Sequence, residues 1–339
     1  MTSRAFIAGC SGPVLTPEEA AFFRAAEPWG FILFRRNVET PEQVRALTET
    51  LRETVGRADA PVLIDQEGGR VQRLGPPHWP AYPPGRAYGR LAGNDPLYQR
   101  EVARLGARLI AHDLRAVGID VDCLPVLDVP VAGAHDVIGD RAYAHDPETV
   151  AVLGRAAAEG LIAGGVLPVI KHIPGHGRAG SDSHHDLPVV HASRAELERQ
   201  DFVPFRHLSD MPLAMTAHVV YTALDPDRPA TTSPTVIGEV IRSHMGYDGL
   251  VMSDDLSMNA LSGTLAERAR AAFAAGCDMA LHCNGRLDEM DAIASETPEL
   301  AGEAKRRADA ALGRIRHEPE PLNVVDARAR LAAALAAAA

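Results

Sequence analysis

Four histidines, two aspartates and a lysine fall within residues 171–188, KHIPGHGRAGSDSHHDLP, with three glycines and two prolines between them. So many proton-carrying groups on so little backbone fit two chemistries: a metal site of His and Asp ligands, or an acid/base apparatus over a polar substrate. Asp182 and His184 stand two apart, so in an extended loop both side chains point to the same side. A carboxylate beside an imidazole fixes its tautomer and raises its pKa, which makes Asp182–His184 read as a general acid/base dyad. Lys171 and His172 carry donors suited to substrate hydroxyls, while Gly175 and Gly177 let the backbone turn tightly. His176, between those glycines, reads as a brace for the loop, and His185 and Asp186 as solvated loop residues.

The metal reading is the weaker one. Catalytic zinc sites commonly use HExxH on a helix or a similarly short spacing on a rigid element, and neither occurs here; Lys171 beside His172 also repels a cation. No metal is expected. A second stretch, VMSDDLSM at 251–258, sets Asp254 and Asp255 side by side at a strand end. Adjacent strand residues face opposite ways, so only one of the two readily aims at the centre of the fold.

These groups need elements to hold them, and the chain alternates short apolar runs with helical patterns. AFIAG (5–9), FILF (31–34), VLID (62–65), IDVDCL (119–124), VLPVI (166–170), LAMTA (213–217), GLVMS (249–253) and MALHC (279–283) have strand length and content. Between them, Thr16-Pro17, Thr40-Pro41, Asp95-Pro96, Asp146-Pro147 and Ser193-Arg194 are helix starts. Eight such units predict an α/β fold, a closed β/α (TIM-type) barrel, with an open doubly wound sheet as the alternative. No linker divides the chain, so residues 1–339 read as a single β/α-barrel catalytic domain with an alanine-rich helical tail, fraying, at about 325–339. Active groups of a barrel sit where strands end, and Asp65, Lys171, His172, His218 and Asp254 all follow or close apolar runs. Two long loops, containing PPHWPAYPPGRAYGR and VIGDRAYAHDP, read as binding walls.

Composition narrows the partners. With 45 acidic and 34 basic residues the formal net charge is −11, which repels phosphate backbones and anionic headgroups. Nucleic acid and membrane partners are not expected. Cys10, Cys123, Cys277 and Cys283 are scattered without CxxC spacing, so buried reduced thiols are expected rather than a disulfide framework. Ile7–Cys10 has the look of a lipoprotein box, but nine preceding residues are too few for a signal segment. No apolar run reaches the ~18 residues of a membrane span. A cytoplasmic protein is expected.

At this point the sequence resembles the third family of glycoside hydrolases, and within it the single-domain β-N-acetylglucosaminidase branch. GFILFRRN, VLIDQEGGRVQRL, VIGDRAYAHDP, IKHIPGHGRAGSDSHHDLP, TAHVVY and LVMSDDLSM are similar to that branch's blocks, in its order, through most of the chain. The resemblance implies a barrel without an added domain, Asp254 as nucleophile and Asp182–His184 as acid/base dyad. It implies that Asp65, Arg73, Arg141, Lys171 and His172 hold the sugar. Ile173, where phenylalanine is common, and His185-Asp186 depart from the pattern and touch only the loop's fine shape.

The implied reaction is retaining hydrolysis: a carboxylate attacks the anomeric carbon while a proton donor serves the leaving oxygen and then activates water. No organic cofactor is required. The implied substrate is a small glycan, terminal N-acetylglucosamine β-linked to anhydro-N-acetylmuramic acid or its peptides, met in cell-wall recycling. A monomer is expected. A phosphorylase of the same family is the nearest rival, since a histidine acid/base leaves room for phosphate; a catalytically silent sugar-binding protein is the rival from another class.

Overall fold

The computed structural model describes residues 3–91, 95–183 and 186–337. At its centre eight parallel strands close into a barrel: β1 Arg4–Gly9, β2 Pro28–Leu33, β3 Val62–Ile64, β4 Val121–Asp122, β5 Leu167–Ile173, β6 Leu213–Thr216, β7 Leu250–Asp255 and β8 Met279–His282. All eight apolar runs are barrel strands, in sequence order around the ring. Phe6 lies opposite Ala280 and Ile7 opposite Leu281, so β8 returns to β1 and the open sheet is ruled out.

The period of two explains why these residues make this barrel. Along β1, Ala5 and Ile7 join the interior cluster while Phe6 and Ala8 join the layer under the helices. The same alternation puts Leu167 and Val169 of β5, and Leu250 and Met252 of β7, inside with Leu63, Leu213 and Met279. Each of the Val, Leu, Ile and Met side chains among them contributes about 1.5–3 kcal/mol when fully buried. The helices begin where the sequence signals stand: Thr16 Oγ1 accepts the Glu19 N–H at 3.2 Å while the Glu19 carboxylate accepts the Thr16 N–H at 2.9 Å. Thr40, Asp95, Asp146 and Ser193 accept first-turn N–H groups of theirs, and Ser193 completes the same reciprocal box with Glu196. The alanine-rich end differs from a fraying tail. Helix Val324–Ala336 buries Ala327, Leu331 and Ala334, and Arg328 bonds Asp113 at 2.8 Å.

Two barrel strands are longer at their C-terminal ends than their apolar runs indicate, because polar residues continue them. β5 runs through Lys171 and His172 to Ile173, and β7 through Asp254 and Asp255. Both are irregular there: Lys171 and Ile173 face consecutive residues Met215 and Thr216, and Met252 and Asp255 face Met279 and Leu281. An extra residue bends a strand and re-aims its side chains. On β7 the gap in the ladder is filled by Ser253 Oγ, which accepts the Leu281 N–H at 3.0 Å.

The loops above these ends are tied to one another. After β3, strands Gln66–Gly68 and Val71–Gln72 form a hairpin. Gly68 there has φ +92°, and a Cβ would stand 2.2 Å from the Pro83 carbonyl oxygen, so no other residue fits. After β5, the short strand Val189–Val190 pairs with Val220–Tyr221, which follows β6. Tyr221 Oη also donates to the Gly175 carbonyl at 2.7 Å. Both limbs of the histidine-rich loop are thereby fixed to Tyr221, and the far one to Val220 as well.

Candidate active site

The strand ends surround a cavity of about 300 Å³. Asp65, Arg73, Arg141, Lys171, His172, Asp182 and Asp254 all line it, so seven of the eight residues singled out by sequence meet in one place. The eighth, His184, lies outside the described residues, as does His185. Ile32, Phe34, Val71, Met215, Met258 and Leu281 supply apolar walls.

One side of the cavity is an ion network. Lys171 Nζ lies 2.8 Å from Asp65 Oδ1 and 2.7 Å from Glu67 Oε1. Arg73 Nη2 reaches Asp65 Oδ2 at 2.9 Å, and Arg141 grips Glu67 with Nε and Nη2, both at 2.8 Å. Burial would raise both carboxyls, but Lys171 with Arg73 overrides it at Asp65, which sits well below the usual carboxylate range. Arg141 with Lys171 does the same at Glu67, held at about 2. Burial also works against the Lys171 ammonium, yet Asp65 and Glu67 raise it above the ordinary lysine value. Two of the three Lys171 donors are thus committed to carboxylates, which leaves one for a ligand.

The opposite side carries Asp254. Burial would raise its carboxyl; the His218 and His172 rings, the Asp255 N–H and Lys171 together hold it below the ordinary value. The Asp255 N–H donates to Asp254 Oδ1 at 2.8 Å and fixes the carboxylate. Asp255 also borders the cavity, but its carboxylate accepts from Ser257 N and Oγ, at 3.0 and 2.7 Å, and from Cys283 N at 3.3 Å. Of the adjacent pair, Asp255 is built into the wall.

His172 Nδ1 lies 2.7 Å from Asp128 Oδ2. Asp128 also accepts the His172 N–H at 3.1 Å and the His176 N–H at 2.6 Å. Burial would raise Asp128, but the His172 and His176 contacts outweigh it and hold the carboxyl at about 2. His176 is buried and pushed down to about 4, chiefly by desolvation. Its Nε2 stands 3.1 Å from Ser183 Oγ, beside Asp182, so it braces the loop as its position between glycines indicates. Arg178 adds a second anchor to Asp201 at 2.6 Å. The Asp186 N–H returns to the Asp182 carbonyl at 3.0 Å. The pairing of Asp182 with His184 expected from their spacing depends on a residue outside the described ones.

The sequence reading does not single out Glu67 and Asp128. Glu67 stands two residues after Asp65, and Asp128 is a lone carboxylate inside CLPVLDVPV; an unexplained acid in an apolar run is the signal that was there to use. Asp186 is exposed, as expected of a solvated loop residue. All four cysteines are free, and three are buried; Cys283 is half-buried because it lines the cavity. Among the described residues no cluster of three or more His, Cys, Asp or Glu side chains has metal-site geometry, and no helix is long and apolar enough to cross a membrane.

A barrel with its acids, imidazoles and cations gathered over the C-terminal strand ends has the arrangement of a barrel enzyme. Residues 19–317 match the glycosyl hydrolase family 3 N-terminal domain, and the chain belongs to this family of glycoside hydrolases. Among its relatives, the β-hexosaminidase of Bordetella parapertussis is 40% identical over 304 residues, covering 88% of this chain and 85% of that one. NagZ from Neisseria gonorrhoeae in complex with N-trifluoroacetyl-D-glucosamine superposes with a TM-score of 0.88 at 32% identity, covering 99% of both chains. The same NagZ in complex with zinc ion gives a TM-score of 0.84 at 32% identity, covering 100% of this chain and 99% of that one.

Proposed function

We propose that this chain is a retaining exo-β-N-acetylglucosaminidase that removes terminal non-reducing N-acetylglucosamine from β-linked muropeptide-type glycans, in cytoplasmic cell-wall recycling. The observation that carries this reading is the half-buried Asp254, its carboxyl held below the ordinary value, facing the Asp65–Lys171–Arg73 network across a cavity at the small end of ligand pockets. Such a space admits one sugar ring and favours cleavage from a chain end. In the first step an Asp254 carboxylate oxygen bonds to the anomeric carbon, the glycosidic C–O bond breaks, and His184 gives its proton to the departing oxygen. In the second, His184 takes a proton from water, the resulting hydroxide attacks the same carbon, and the ester to Asp254 breaks. Asp182 positions the histidine and stabilises its charged form. Asp65, Arg73, Arg141, Lys171 and His172 hold hydroxyls, with hydrogen bonds that strengthen as positive charge develops on the ring.

The test compares aryl N-acetyl-β-glucosaminide with aryl β-glucoside, with and without a chelator, and in phosphate and non-phosphate buffer. Preferred turnover of the first, unaffected by chelation and yielding free sugar in both buffers, is the expected result. A sugar phosphate as product points to the phosphorylase, loss on chelation restored by zinc to the metal site, and no turnover to a binding protein. A 5-fluoro sugar with a good leaving group is expected to leave a labelled ester on Asp254 and none on Asp255. Tight inhibition by a thiazoline without a trapped ester overturns the covalent route.

A further inference from the structure

We propose that Thr216, Thr231 and His218 form a closed hydrogen-bond ring that holds the outer backbone groups of residues Asp254 and Asp255, and so positions the attacking carboxylate, without touching substrate. The inference rests on the assignment of Asp254 as nucleophile. The distances run from the Asp254 N–H to Thr216 Oγ1 at 3.4 Å, from there to Thr231 Oγ1 at 2.7 Å, and on to His218 Nδ1 at 2.7 Å. The ring closes where His218 Nε2 stands 3.0 Å from the Asp255 carbonyl oxygen. Thr216, Thr231 and His218 are fully buried, and none of them lines the cavity.

Proton counting gives the ring a direction. A carbonyl oxygen only accepts, so His218 Nε2 carries a hydrogen whatever the charge on the ring. In the neutral imidazole Nδ1 must then accept, and Thr231 donates to it. With its single proton spent, Thr231 accepts from Thr216, whose own oxygen accepts the Asp254 N–H. Every donor points the same way round, which lets the bonds polarise one another. The Ala217 carbonyl lies 3.2 Å from Thr231 Oγ1 as an alternative acceptor. If His218 is protonated, the Thr231 proton turns to Ala217, Nδ1 donates to Thr231, and no heavy atom has to move. The clamp on these backbone groups thus holds in both charge states. It acts at the bulged end of β7, where regular ladder bonds are interrupted, and it ties that end to β6 and to the segment Ala230–Thr232 beyond it.

Thr231→Val removes the hydroxyl at nearly constant volume, and Thr231→Ser restores it. On the full chain, with rates normalised to folded protein by thermal unfolding, Thr231→Val is expected to lower kcat about tenfold on aryl and on poor-leaving-group N-acetylglucosaminides alike. KM should stay within about twofold and Thr231→Ser should recover most of the loss. Thr216→Val supplies the same signature should Thr231→Val not fold. An unchanged kcat per folded molecule, or a loss confined to poor leaving groups, overturns the proposal. Histidine 15N NMR reads the ring without substrate: His218 should carry its proton on Nε2 in the wild type, with the Nδ1 signal shifting in Thr231→Val. A proton on Nδ1 alone refutes the ring even if the enzyme turns over, whereas absent turnover with the expected NMR pattern sinks the glycosidase reading and not the network.

Discussion

His172 Nδ1 and Asp128 Oδ2 stand 2.7 Å apart in a pair nearly closed to solvent, one residue beyond the buried Lys171. The Asp128 carboxylate accepts the ring proton there, so Nε2 is the nitrogen left to meet a ligand. Asp128→Asn keeps the shape but presents an amide where three donors converge. It is expected to lower kcat/KM by about ten- to a hundredfold, the range for losing a buried charge-assisted bond of about 1.5–3 kcal/mol. Steady-state kinetics on an aryl N-acetylglucosaminide check it; an unchanged kcat/KM removes His172 from substrate binding.

Lys171 is buried and pairs with two carboxylates, Asp65 and Glu67. Lys171→Met keeps most of the volume and leaves Asp65 and Glu67 to Arg73 and Arg141 alone. Breaking a buried pair by deleting one partner costs on the order of 3–5 kcal/mol. Denaturant unfolding should show a loss of that size together with lost turnover. A stability within about 0.5 kcal/mol of wild type contradicts a network that needs its central cation.

His176 gives the fold an acid sensitivity with a defined window. Its folded value of about 4 lies below the ordinary 6.5, so between those pH values the unfolded chain binds a proton that the native chain excludes. Stability from this group is complete above 6.5 and falls as pH drops toward 4. At about 1.4 kcal/mol per pH unit, the difference is worth roughly 3 kcal/mol. Glu67 and Asp128, both held at about 2, add their own loss at lower pH, as protonation removes their pairing. His176→Gln should flatten the Tm profile between pH 6.5 and 4 and leave the steeper fall below it; an unaltered profile refutes the assignment.

Leaving-group dependence tests the acid/base pair. His184→Ala should slow substrates with poor leaving groups far more than aryl substrates whose phenolate departs without a proton, and Asp182→Ala should repeat that pattern in milder form. Equal losses on both substrates reduce His184 to a structural residue of the loop.

The barrel was legible because its signals are local. Apolar runs of strand length alternate with capped helices, and the order of such units leaves few topologies. The polar strand ends around the cavity were legible for the same reason: Asp65, Lys171 and Asp254 close or follow those runs. Glu67 and Asp128 were not, since their meaning comes from partners 74 and 44 residues away, Arg141 and His172. Thr216 and Thr231 are in the same position. A hydroxyl in TAHVVY or ATTS has no pattern of its own, and only the closure of the barrel brings the two within 2.7 Å of each other.

The pairing of Val189–Val190 with Val220–Tyr221 turns loop length into a measured span. Seven positions separate Asp182 from Val189, and the far end is held in register by β-ladder bonds while Tyr221 holds Gly175 at the near end. Removing one residue from that stretch cannot be absorbed by sliding the strand, because a slip of about 3.3 Å would also turn Val190, now buried, out to solvent. The span from Asp182 to Val189 is set in the manner of a ruler, by residue count, and natural variation in this loop should come as substitutions rather than as insertions or deletions.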